Sequence, residues 1–229
     1  MPKRYIFLSL MILAGTCIPG KFYAQRILGA ISAGMNITQV DGDEYIGYYK
    51  LGLNIGPMVI VPLGKKSKWS ISMELLYSQK GSFHYGLYDS TTFRLVQDYA
   101  EIPVLVHFTD KNLISGGVGF SYGQLINYKE TKNQFYDTLF HYKTGLSNND
   151  ISVIADLKIR IWSKLWADLR YQYSMRSNRT VLVVYKNTIP QYQVTRKQYN
   201  NVISIRVTWV FNQPKTGNLP ENVNKNQEQ

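Results

Sequence analysis

The strongest constraint on this chain is a period-two alternation of apolar with small or polar residues. It recurs in eight segments of about ten residues, the length a tilted strand needs to cross a bilayer. Three segments are clearest. Ile151, Val153, Ala155, Leu157, Ile159 and Ile161 alternate with Ser152, Ile154, Asp156, Lys158 and Arg160. Leu165, Ala167, Leu169, Tyr171 and Tyr173 alternate with Trp166, Asp168, Arg170 and Gln172, and Ile203, Ile205, Val207, Trp209 and Phe211 with Ser204, Arg206 and Thr208. The same period marks residues 28–38, 50–61, 69–80, 98–108 and 113–128 as strands.

Alternation does not say which face meets the solvent, because a soluble barrel or sandwich would turn its apolar face inward. Three features decide for lipid. The connections alternate strictly between short (62–68, 109–112, 163–164) and long (39–49, 81–97, 129–149, 177–197), as in barrels with tight periplasmic turns and long external loops. With a periplasmic N-terminus, Trp69, Trp162, Trp166 and Trp209 all fall at the periplasmic ends of strands. Tyr77, Tyr99, Tyr122, Tyr128, Tyr171, Tyr173 and Tyr199 fall toward the other ends, which makes two interfacial belts. Finally, the polar face carries Glu74, Glu101, Asp156 and Asp168 against Lys158, Arg160, Arg170 and Arg206. Each base facing lipid near the midplane would cost roughly 2–4 kcal/mol, whereas inside a narrow barrel acids and bases can pair. The expectation is an all-β, eight-stranded antiparallel up-and-down transmembrane barrel whose interior is held by those eight charged residues. A soluble exported barrel is the alternative.

The ends fit an exported chain. Lys3 and Arg4, an apolar core over residues 5–18 and Phe22-Tyr23-Ala24 read as a cleavable signal over 1–24, with the mature chain starting near Gln25. Removing Lys3, Arg4 and Lys21 lowers the formal charge from +11 to +8. A retained anchor would need about 20 apolar residues, and this run stops at Pro19-Gly20-Lys21. Cys17, the single cysteine, lies in the signal. The threonine before it departs from the small residue expected at a lipidation site, so the mature protein has no thiol, disulfide or cysteine metal site. One barrel domain, 25–211, is followed by a polar tail, 212–229, too poor in apolar residues to order itself. Pro57 and Pro103 interrupt marked strands, and a bulge or strand end is expected at each. Gly116, Gly117, Gly119 and Gly123 are expected to thin one interior wall against larger side chains opposite.

With the strands placed, the chain resembles the PorT-like outer-membrane β-barrel family of Bacteroidota. The resemblance rests on Leu51-Gly52-Leu53-Asn54, Glu74-Leu75-Leu76-Tyr77-Ser78-Gln79-Lys80-Gly81, Tyr99-Ala100-Glu101-Ile102-Pro103-Val104-Leu105, Asp168-Leu169-Arg170-Tyr171 and Asn200-Asn201-Val202-Ile203-Ser204, in that order. It runs from about residue 28 to 211. It implies an eight-stranded barrel in the outer membrane and a link to type IX protein secretion, and its motifs are architectural. The tail beyond Phe211 departs from barrels that end on a terminal aromatic.

Searching for chemistry leaves little. There is no phosphate-binding glycine loop, no Gly-x-Ser-x-Gly turn and no His-Glu-x-x-His helix, so no enzyme and no cofactor is expected. A lipid hydrolase could be built from His107 with a nearby serine and Glu101, but six residues along one strand face separate the two by about 20 Å. His84 and His141 lie in external loops. A pore through the charges is disfavoured because eight strands leave a lumen just wide enough for side chains. The external loops place Phe135, Tyr136, Phe140 and Tyr142 among Lys132 and Lys143, a composition suited to a polysaccharide, a protein or lipopolysaccharide phosphates. Residues 181–185 and 192–195 read instead as a hairpin that lengthens the strands. The expected partners are outer-membrane lipid, lipopolysaccharide, and secretion-system or surface proteins. Nucleic acid is excluded by export.

Overall fold

The computed structural model describes residues 27–43, 47–63, 68–85, 92–133, 139–143, 146–185 and 192–212. The proposed signal and all but the first residue of the proposed tail lie outside them. Eleven strands follow in order: β1 Leu28–Asp41, β2 Lys50–Leu63, β3 Trp69–Glu74, β4 Leu76–Tyr85, β5 Thr92–Asp110, β6 Ile114–Asn133, β7 Leu139–Lys143, β8 Asn149–Arg160, β9 Leu165–Ser174, β10 Arg179–Tyr185 and β11 Tyr192–Val210. All pairings are antiparallel, and β1–β2–β3/β4–β5–β6–β8–β9–β11 closes on itself through β1–β11. This is a ring of eight strands, with β3 and β4 forming one wall position. Closure leaves no sheet edge in the ring, which the bilayer requires because lipid offers backbone groups no hydrogen bonds.

The alternation resolves as the charges demanded. On β5, Glu101, Pro103, Leu105 and His107 point inward and are buried, while Ile102, Val104, Val106 and Phe108 are exposed on the outside. From Phe108 to Ala100 the outward face is apolar over roughly 27 Å of strand, or roughly 20 Å of bilayer at a 40° tilt. Polar side chains then take over at Gln39, Gln79, Asp98, Gln124 and Asn201. Aromatic rings mark both boundaries: Trp69 meets Phe108 edge-on at 5.0 Å, and Tyr173 stacks on Tyr199 at 6.2 Å. Trp162 and Trp209 also face out, but Trp166 is buried inside the barrel and Tyr99 is fully buried, because both share the inward phase.

The periplasmic turn between β5 and β6 is tight because Lys111 and Asn112 both adopt positive φ, 47° and 53°, and Leu113 N–H donates to the Asp110 carbonyl at 2.9 Å. That is the turn geometry whose twist matches a hairpin. On the other side, much of what the sequence suggested as loop is strand. β4, β5, β6 and β11 run well past the apolar band, and β10 pairs with β11 over Tyr185↔Tyr192 to Arg179↔Gln198 as the expected hairpin.

The prolines interrupt the wall in an unexpected place. β2 runs through Pro57 and β5 through Pro103, and the break falls at Leu75, between β3 and β4. The β2 ladder places Met58 opposite Glu74 and Ile55 opposite Tyr77, so Pro57 faces Leu75. The β5 ladder stops at Met73↔Val104 and resumes at Leu76↔Glu101, so Pro103 faces Glu74. A missing N–H on either side denies the shared neighbour its ladder partners, and Leu75 keeps one bond, donating to the Pro57 carbonyl at 3.0 Å.

Candidate functional site

The lumen is filled in layers. Nearest the periplasm, Ala30, Met58, Trp166 and Val210 form an apolar plug supported by Leu28 and Ile60. Above it lies a charged layer. Arg170 on β9 reaches Glu74 on β3, donating from Nη2 to Oε1 at 2.6 Å and from Nη1 to Oε2 at 3.3 Å, and also reaches Asp156 at 2.9 Å. In the ring order β3 and β9 are diametrically opposed, so this guanidinium is a strut across the lumen. Arg206 on β11 donates to Glu74 at 2.9 Å and pairs closely with Asp168. Lys158 sits between Asp156 and Asp168 at 3.7 and 3.8 Å. Asp156↔Arg170, Lys158↔Asp168 and Asp168↔Arg206 are direct cross-strand neighbours, so their pairing follows from register.

Glu101 belongs to a second layer toward the outside. It pairs with Lys80 and accepts from Gln172 at 3.3 Å; Lys80 also bonds Asp150 at 3.0 Å and lies 5.1 Å from the Tyr99 ring centre. Ser174 and Asn200 donate to Asp150 at 2.7 and 3.2 Å. Arg160, the eighth expected member, lies at the periplasmic mouth, where it donates to the carbonyls of Asn112 and Ser163 and sits over the Trp166 ring. The expected set thus divides into a layer of six, Glu101 in a second layer, and Arg160 at the rim. Lys80 was missed at the end of its marked segment, and Asp150 because it lies one residue before the run that starts at Ile151. Continuing the inward phase from Glu74 to residue 80 would have found Lys80. A small apolar group, Val40, Phe93 and Leu95, is buried toward the external end.

One triad-like chain of contacts lies in this interior. Ser72 Oγ is 2.8 Å from His107 Nε2, and His107 Nδ1 is 3.4 Å from Asp156 Oδ1. The partner carboxylate for His107 is therefore Asp156 on β8, not Glu101. Ser72 is fully buried between the plug and the charged layer, and Asp156 is held by Arg170 and Lys158. The hydroxyl is enclosed by the packed interior. The interior glycines make room for these contacts: a side chain at Gly117 would run into the His107 ring and the Asp156 carboxylate, and one at Gly123 would press within 3.3 Å of Glu101 and Tyr99. The crowding comes from the adjacent strand β5 and, at Gly117, also from β8, rather than from across the lumen. Gly116 faces outward with nothing within 4 Å, so it plays no such part. Among the described residues no group of His, Cys, Asp or Glu is arranged to hold a metal ion.

Beyond the apolar band the ring divides. β6 pairs with β8 only up to Gln124↔Asn149, and a register shift opposite Asp98/Tyr99 bends β6 where it leaves β8. Above this point two three-stranded sheets rise, β4–β5–β6 and β7–β10–β11. A buried ion pair joins them: Arg179 of β10 bonds Glu130 of β6 at 2.9 Å and Gln198 at 2.8 Å. At the opposite mouth, Asn212 accepts from Gly29 N–H at 2.9 Å and donates to the Ile27 carbonyl at 2.8 Å, clasping the two ends of the barrel.

Among solved structures, the chain is similar to Ail, the attachment invasion locus protein of Yersinia pestis (TM-score 0.45, 11% identity, covering 81% of this chain and 99% of that one). It is also similar to Neisserial surface protein A (0.44, 11%, 81% and 96%) and to a major outer membrane protein of Thermus thermophilus (0.45, 10%, 82% and 100%). No curated protein sequence matches. The model of the outer membrane protein beta-barrel domain matches residues 23–179, stopping short of β11, the strand that closes the ring. That match spans most of the chain, and with the closed ring and its outward apolar band it places the protein in the outer membrane protein beta-barrel domain family.

Proposed function

We propose that this barrel is a non-enzymatic interaction or assembly component of the outer membrane, PorT-like, and accessory to type IX protein secretion. The observation that carries the reading is the contrast between the two halves of the molecule. The lumen is plugged at its periplasmic end and crossed by charged struts, while two sheets continue past the membrane band and offer surface to partners. The secretion role rests on the resemblance of the strand phrases. The reading includes a signal over 1–24 that is removed on export and a polar periplasmic tail over 212–229.

Crosslinking in intact cells, followed by identification of what copurifies with the barrel, tests it. Recovery of secretion-machine subunits supports assembly, and their absence removes the secretion role. A second reading, recognition of an external glycan or protein, is favoured by the length of β6, β10 and β11 beyond the band. It requires that binding be lost when residues 129–149 are deleted.

A further inference from the structure

Charge is distributed unevenly along the barrel axis. The three short periplasmic connections, 62–68, 109–112 and 163–164, carry five lysines and one acid, Asp110, whereas the four long external ones hold eight bases against six acids. The fold sets the ends of the short connections side by side. Thr109 N–H donates to the Lys68 carbonyl at 2.7 Å, Arg160 N–H to the Leu113 carbonyl at 2.8 Å and Val210 N–H to the Lys164 carbonyl at 2.8 Å. One rim therefore runs from the start of β3 to the end of β11. On it Lys68 and Lys111 are exposed and Lys164 is half-buried. The ion pairs among the described residues lie in the two lumenal layers and at Arg179 and Glu130, and none involves these three lysines or Asp110. Arg160 fixes the spacing of two of them. Its guanidinium donates to the carbonyls of Asn112 at 3.3 Å and Ser163 at 3.0 Å, tying the turn that carries Lys111 to the one that carries Lys164.

We propose that this rim, through Lys68, Lys111 and Lys164, docks an acidic segment of a periplasmic protein. The inference rests on the interaction role proposed above and names the partner's chemistry. A carboxylate-rich chain can follow the arc of turns and answer several lysines at once, and complementary charge of this kind steers and orients a partner. The lumen does not compete for it, because the acids and bases of the charged layer are spent on one another. The apolar plug of Ala30, Met58, Trp166 and Val210 keeps the segment on the rim rather than in the barrel. Position favours a periplasmic protein over lipid. Lys111 stands at the tip of its turn, three residues beyond Phe108, whose ring meets Trp69 at the lipid boundary, so its ammonium points past the aromatic girdle into the periplasm.

The test places the mature barrel in phosphatidylcholine nanodiscs, which leave both ends in water, and reads binding of fluorescein-labelled ten-residue polyglutamate and polyglutamine peptides by anisotropy. Polyglutamate is expected to bind at least ten-fold more tightly than polyglutamine. The combined Lys68→Gln, Lys111→Gln and Lys164→Gln variant is expected to lose that preference. Arg94→Gln, Lys129→Gln and Lys197→Gln together, which remove three exposed bases from the external end, should keep it. An unchanged preference in the rim variant overturns the proposal, as does an equal loss in both variants, which would trace the binding to net charge alone. Heat-dependent gel mobility checks folding, and if the rim variant misfolds, Lys68→Gln with Lys111→Gln, both at exposed positions, asks the same question. In cells, a photo-crosslinking amino acid placed at the exposed Ser163 is expected to capture a protein through a peptide rich in Asp and Glu, identified by mass spectrometry. Crosslinks to lipid alone overturn the proposal. Protein captured only from the same probe at Thr131, on the external sheet, also overturns it while leaving the interaction role standing.

Discussion

At the scale of single residues, Arg170 shows how much depends on one side chain in a lumen this narrow. Arg170→Leu would leave Glu74 and Asp156 short of a buried partner, and stranding a buried charge costs about 3–5 kcal/mol. Denaturant unfolding of the refolded barrel should show that loss, and Glu74→Leu added to Arg170→Leu should cost less than the two single changes summed. The glycines of β6 make a paired prediction. Gly117→Val drives a branched side chain into the His107 ring and should destabilise by about 1–3 kcal/mol. Gly116→Ala, which meets nothing, should leave the same unfolding curve within about 0.5 kcal/mol. The inward phase of Glu74, Asp156, Lys158, Asp168, Arg170 and Arg206 was readable from alternation. Which acid meets which base across the lumen was not, because β3 and β9 are far apart in the chain and meet only when the ring closes.

At the scale of elements, strands were legible where one face is lipid and the other is packed lumen, since both faces then constrain the sequence. Beyond the membrane band that constraint lapses, and residues such as Asn127, Lys129 and Thr131 alternate no hydrophobicity although they lie in β6. The outer parts of β4, β5, β6 and β11 therefore read as loops. Pro57 and Pro103 signalled an irregularity correctly but not its position, because a missing N–H is felt by the strand opposite, at Leu75. The two outer sheets hinge on Arg179 and Glu130. Arg179→Gln should raise the rate of cleavage by an added protease in β7 and β10 several-fold, with the heat-dependent gel mobility of the embedded ring unchanged; equal cleavage of variant and wild type would show that the ion pair does not join the sheets.

For the molecule as a whole, an apolar plug and two ion-paired layers fill the lumen, so the wild-type barrel should show no steady single-channel conductance in a planar bilayer. A persistent open channel would mean that the plug around Met58 and Trp166 is not the resting state. By itself, the sequence determined that strands of membrane-spanning length carry one apolar and one charged face. Lipid tolerates no unpaired base and eight strands have little room inside, so alternation, charge balance and aromatic placement lead to one arrangement. Only the tertiary structure decided what those residues touch: the strut from Arg170 to Glu74 and the second layer around Lys80 and Asp150. Each of these depends on ring closure and stagger, which bring together strands distant in the chain and which no local pattern encodes.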